Sequence, residues 1–132
     1  MFWKKRQVED AVLGILTYHD GEWISELLPS SCGAIRIGVE GSKAAPSSEG
    51  ISDAREAFVS PAWITEAARA YLLADAQAVE MMQGHGELTL DGFSFTSTRG
   101  VFSVTYGLTG WPDAMLVIEF SQGVPCEVSL SD

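Results

Sequence analysis

Soft and imidazole metal ligands are scarce in this 132-residue chain, which has two cysteines and two histidines. Cys32 and Cys126 lie far apart, with no CxxC or Cys/His spacing, so neither a metal site nor a cofactor is expected. A disulfide between them is left open. The alternating apolar pattern around Cys126 suits a small buried thiol.

Basic residues are almost missing from the second half. Residues 1–69 carry seven bases against ten acids, and residues 70–132 carry Arg99 alone against eight acids. A net charge of −10 repels nucleic acid and anionic lipid, so neither is expected as a partner. It would attract a basic protein partner over a Debye length of about 8–10 Å, although such charge also serves solubility.

No apolar run approaches the roughly 20 residues that span a bilayer, so no membrane span is expected. In "MFWKKRQVED" no apolar stretch follows the charges, which argues against a secretory signal and for a cytoplasmic location. Phe2 and Trp3 ahead of Lys4, Lys5 and Arg6 form a small amphipathic tip, and residues 1–7 are expected to be loosely held. Nucleophile elbows, Walker motifs and calcium-loop spacings are all missing. The balance therefore leans away from an enzyme.

What is present is the composition of a globular chain, 46% hydrophobic and 20% charged, long enough for one core over residues 1–132. The N-terminal third reads as three strands, "AVLGILTYH", "EWISEL" and "AIRIGVE". Residues 41–50, "GSKAAPSSEG", read as a flexible loop. A short helix capped by Ser52 is expected next. A long amphipathic helix of about six turns follows, capped by Ser60 with Pro61 in its first turn and ending at Gly84. Trp63, Ala67, Tyr71, Ala74, Ala78 and Met82 lie along its apolar stripe, joined by Ile64, Ala68, Leu72 and Val79.

The C-terminal half reads as five strands. Asp91-Gly92 and Arg99-Gly100 are read as two-residue turns, which places Leu88, Leu90, Phe93, Phe95, Phe102, Val104 and Tyr106 on one face. A three-residue turn Ser121-Gln122-Gly123 sets Ile118 opposite Cys126 and Leu116 opposite Val128. The order βββ-αα-βββββ is α+β: a curved antiparallel sheet of about eight strands on one long helix.

"TYHDGEWI" places His19 beside Asp20-Gly21. The pair reads as the corner of a hairpin, with Tyr18 opposite Trp23 and His19 opposite Glu22. His85 sits between Gly84 and Gly86 just past the helix, as a linker residue or as a ligand or base. "YGLTGWPDA" carries Trp111 and Asp113 between two strands, and an exposed tryptophan there would suit a protein contact.

Three segments, "VLGILTYHDGEWI", "SPAWITEAARAYLL" and "IEFSQGVPCEVSL", resemble the strand–turn–strand, central helix and terminal hairpin of small bacterial α+β domains of the polymorphic-toxin immunity type. The resemblance implies binding and blocking of a partner, and carries over no functional residue. The first expectation is thus a non-catalytic protein-binding domain, an immunity-type inhibitor of a basic toxin or enzyme, with Trp111, Asp113, Glu119 and Glu127 at the contact. The alternatives are a small-molecule site or enzyme at the helix–sheet junction using His19 and His85, and a structural or homo-oligomerisation module.

Overall fold

The computed structural model describes residues 5–132. Phe2, Trp3 and Lys4 of the amphipathic tip lie outside the described residues. The strands of the first half are β1 (Gln7–Asp10), β2 (Gly14–His19), β3 (Glu22–Ser25), β4 (Leu28–Ser30) and β5 (Gly33–Glu40). Three helices follow, α1 (Ser48–Val59), α2 (Ala62–Leu73) and α3 (Ala76–Met82). The chain closes with β6 (Leu88–Phe95), β7 (Phe102–Leu108), β8 (Trp111–Ser121) and β9 (Val124–Ser131).

The fold is α+β. Its nine-stranded sheet has the order β1-β2-β3-β5-β6-β7-β8-β9, with β4 paired to β5 off that path. The sheet is antiparallel except at β5–β6, which run parallel. The exception follows from connectivity: the three helices intervene between β5 and β6, a crossover long enough to return the chain in the same direction.

The hairpin corner at Asp20-Gly21 is as the sequence reads. Both residues have positive φ (47° and 86°), Tyr18 pairs with Trp23, and His19 pairs with Glu22. The Tyr18 and Trp23 rings lie 5.2 Å apart. The expected strand over residues 11–19 is instead a hairpin, β1–β2. The Asp10 carboxylate accepts the Val12 and Leu13 amides at 3.0 and 2.9 Å, turning the chain before β2. Pairing reaches back to Arg6, whose carbonyl accepts the Tyr18 amide.

Asp91-Gly92 is not a turn. Residues 88–95 form one strand with a bulge between Leu90 and Gly92. A bulge inserts one residue and changes the side-chain phase as a two-residue turn would, so the apolar alternation fits both. Gly92 is required there because a Cβ would collide with the Arg36 carbonyl of β5. The link from β6 to β7 is likewise longer than the two-residue Arg99-Gly100 turn, so Phe95 pairs with Phe102 instead of Val104. The shift is two residues, and the buried face is unchanged.

The terminal hairpin turns on two residues, Gln122 and Gly123, both at positive φ (54° and 73°). A register shift then skips Cys126, so Ile118 pairs with Val128 and Leu116 with Leu130. Cys126 is consequently exposed, not buried, and both cysteines are free thiols.

The expected long helix is broken. Asp75 adopts an extended conformation and caps α3 by accepting the Ala78 amide at 2.9 Å. Ser60 terminates α1, and Pro61 precedes α2 without a side-chain cap. The first helix starts at Ser48, with Ser47 as its cap instead of Ser52, so it includes the end of the 41–50 segment. The rest of that segment is fastened by the Ser42 carbonyl, which accepts the Trp23 indole N–H at 2.9 Å. Of the residues that periodicity places on the apolar stripe, Ile64, Ala68, Leu72 and Ala78 are buried, while Trp63 and Tyr71 are exposed.

One core fills the space between helices and sheet. It includes Trp23, Ile35, Ile37, Ile64, Leu72, Leu116 and Ile118. An aromatic ladder crosses three strands, with Phe95 5.2 Å from Phe102 and Phe102 stacked 4.6 Å from Phe120. On the other face, β7 and β8 carry half-buried and exposed side chains, among them Ser103, Thr105, Met115, Val117 and Glu119. Among the described residues, no helix is long and apolar enough to cross a membrane.

Candidate functional site

β8 alternates cleanly. Ala114, Leu116, Ile118 and Phe120 are buried, while Asp113, Met115 and Glu119 are exposed on the opposite face, with Val117 half-buried between them. On β9, Ser131, Ser129 and Glu127 pair with Met115, Val117 and Glu119. Glu119 and Glu127 are therefore directly opposite one another, and both are exposed.

Like charges in that relation are destabilising. Neither has a salt bridge among the described residues, where Arg99, the single base of residues 70–132, is committed to Asp53 at 2.8 Å and Glu56 at 3.7 Å. The outer face of the last hairpin thus presents two apolar side chains, Met115 and Val117, bounded by Asp113 at one end and a carboxylate pair at the other. Asp113 and Glu119 are about 20 Å apart along the strand at roughly 3.3 Å per residue.

Three of the four residues expected at a partner contact, Asp113, Glu119 and Glu127, belong to this face. Trp111 does not stand free in a loop. It opens β8, packs against the core and lies with its ring 4.7 Å from that of His85. The loop holding His85 is fixed from both sides. Its carbonyl accepts the Gly110 amide at 2.8 Å, and Thr109 Oγ1 accepts the Glu87 amide at 2.8 Å. Gly110 is needed for this approach, because a Cβ there would meet the His85 carbonyl at 2.7 Å.

His19 is far from His85. It ends β2 with its side chain 65% exposed, 3.7 Å from Asp20, and lines a groove of about 610 Å³ with Lys5, Arg36 and Glu26. Strands β3, β5 and β6 separate β2 from the β7–β8 turn that holds His85, a span of about 20 Å at roughly 4.8 Å per strand. The two histidines do not form one site. Among the described residues, no three His, Cys, Asp or Glu side chains converge to hold a metal.

Two other concavities went unread in the sequence. One, of about 310 Å³, is lined by Cys32, Thr65, Arg69 and Tyr106. The Tyr106 hydroxyl donates to the Thr65 carbonyl at 3.1 Å, and burial pushes the phenol up to about 12. The other, of about 410 Å³, lies where α1 and α2 meet the β6–β7 loop and the β8–β9 turn. Asp53, Glu56 and Arg99 form its polar side, Phe95 and Phe102 belong to its apolar side, and Trp63 also lines it. Helical periodicity had assigned Trp63 to the core, which hid this cleft.

No protein-family model, curated protein or solved structure matches the chain.

Proposed function

We propose that this chain is a non-catalytic protein-binding domain that engages a basic partner through the outer face of β8–β9, in the manner of an immunity-type inhibitor of a basic toxin or enzyme. The observation that carries the reading is the Glu119–Glu127 pair, two exposed carboxylates set against each other without a cation among the described residues. A lysine or arginine supplied by a partner would relieve that repulsion. Met115 and Val117 beside it supply apolar contact area, giving the apolar centre and charged margin common to protein interfaces.

The test is capture from a lysate with two baits, the native chain and one carrying Asp113→Lys, Glu119→Lys and Glu127→Lys. A stoichiometric basic protein, held by the native bait, lost from the reversed bait and released by salt, is the expected result. A partner held equally by both baits would count against this face.

A second reading, self-association, has one observation in its favour. Lys5 and Arg36 line the groove beside β1–β3 while the carboxylate pair lies at the β9 edge, so two copies could meet head to tail. Sedimentation at low and high salt separates the readings, because a monomer at every concentration removes the second.

A further inference from the structure

The cleft between α1, α2 and the loops at one end of the sheet is independent of the β8–β9 face. We infer that it is a binding site for a small aromatic cation, an arylalkylamine in chemical class. Its volume of about 410 Å³ falls within the range of small-ligand sites, and it combines an apolar floor with a few grouped polar side chains.

Two features select the ligand. The first is the state of the charges. Arg99 Nε is 2.8 Å from Asp53, and the same carboxylate accepts the Gly100 amide at 2.8 Å. Arg99 also donates to Ser52 Oγ at 3.3 Å. Asp53, only 11% exposed, is thus fully occupied in anchoring the β6–β7 loop to α1, and it neutralises Arg99. Glu56 is different. Its one ion pair among the described residues is the long 3.7 Å contact to Arg99, and its side chain is 71% exposed. The charge left over in the cleft is negative, and it belongs to Glu56.

The second feature is Trp63. It is 51% exposed in the first turn of α2, although its neighbour Ile64 is buried, and it lines the same cleft as Glu56, Phe95 and Phe102. A half-exposed indole beside a carboxylate held only by a long, shared ion pair suits a ligand with a planar apolar body and a cationic head. The ring would lie against the aromatic wall, and the ammonium would pair with Glu56 within reach of the Trp63 π-face. An anion would meet Glu56 with Arg99 already spoken for, and a neutral ring would gain only the wall.

Three small probes of similar size test this: 2-phenylethylamine, 2-phenylethanol and phenylacetate, each titrated into the ¹⁵N-labelled full chain. The readout is the shift of the Gly100 and Gly123 amides and the Trp63 indole N–H. The amine is expected to shift all three, with an affinity about tenfold above that for phenylacetate and the alcohol in between. Glu56→Gln should erase most of the preference for the amine, and Trp63→Ala should weaken the amine and the alcohol alike. Both side chains are exposed, so both variants should fold, and their unshifted core resonances would verify it. The absence of localised shifts with all three probes would overturn the inference. So would phenylacetate binding as tightly as the amine, or amine binding unchanged by both substitutions.

Discussion

Asp10 is 8% exposed and stays ionised because its surroundings are built for the charged form. Burial alone would raise its carboxyl. The hydrogen bonds from Arg55 and from the Leu13 and Val12 amides outweigh that and hold it below the usual value of 3.8. A folded value below the unfolded one gives stability that is fully present above about pH 4 and is lost as pH falls through the folded value. Asp10→Asn is therefore expected to cost about 2 kcal/mol at neutral pH, and the deficit should shrink in acid. Urea unfolding of both proteins at neutral and acid pH checks this. Tyr106 works in the opposite direction. Its phenol is pushed up to about 12, so the neutral form supports the fold below the reference value of 10.0, and that support is lost as pH rises through about 12. Absorbance titration should show one tyrosine ionising near 12, missing in Tyr106→Phe, which should also cost about 1 kcal/mol by removing the hydrogen bond to the Thr65 carbonyl.

Among the elements, β6 is the most informative. Its bulge at Asp91 keeps Leu88 and Leu90 on the same side as Phe93 and Phe95. Deleting Asp91 should return the strand to strict alternation and leave both leucines on the buried side. Leu90 would then stand two residues before Phe93, and the Leu90–Tyr106 pairing would run on into Gly92–Thr105 in one register. The deletion is therefore expected to change stability in chemical unfolding by less than about 1 kcal/mol. A loss of about 3 kcal/mol would mean that the bulge itself holds β6 in place. The same element shows what was legible in the sequence. The set of residues on the buried face of β6 and β7 could be read, because apolar phase is written directly in the side chains. Turn and bulge make the same phase change, so strand number and pairing could not be read; they are decided by the approach of β5 to Gly92. Asp20-Gly21 was readable because both positive-φ residues and both aromatic partners are local. The break at Asp75 was obscured by an apolar spacing that continues across it. The cleft was obscured likewise, since Trp63 fits the helical stripe and only the packing of Ile64 reveals that it faces out.

At the scale of the molecule, the cross-strand carboxylates link stability to binding with opposite signs. Glu127→Lys converts a repulsive pair into an attractive one, so the isolated chain should gain about 0.5 kcal/mol. The same substitution places a cation where the basic partner would bring its own, so affinity for the partner should fall. Thermal unfolding reports the first effect and salt-dependent binding the second. A lysine that lowers stability would mean that the pair is not repulsive in the free chain. The carboxylates were legible as an acidic surplus, but their facing arrangement was not: the expected register set Ile118 against Cys126, and the shift beyond Pro125 brings Glu119 and Glu127 together.

The central claim is that the outer face of β8–β9 receives a basic partner. Hydrogen–deuterium exchange of the chain, alone and with its captured partner, tests it most directly. The account predicts new protection concentrated in residues 113–131, with little change in β1–β3. Protection confined to the β1–β3 groove, or to the cleft beside Trp63, with β8–β9 exchanging as in the free chain, would contradict it.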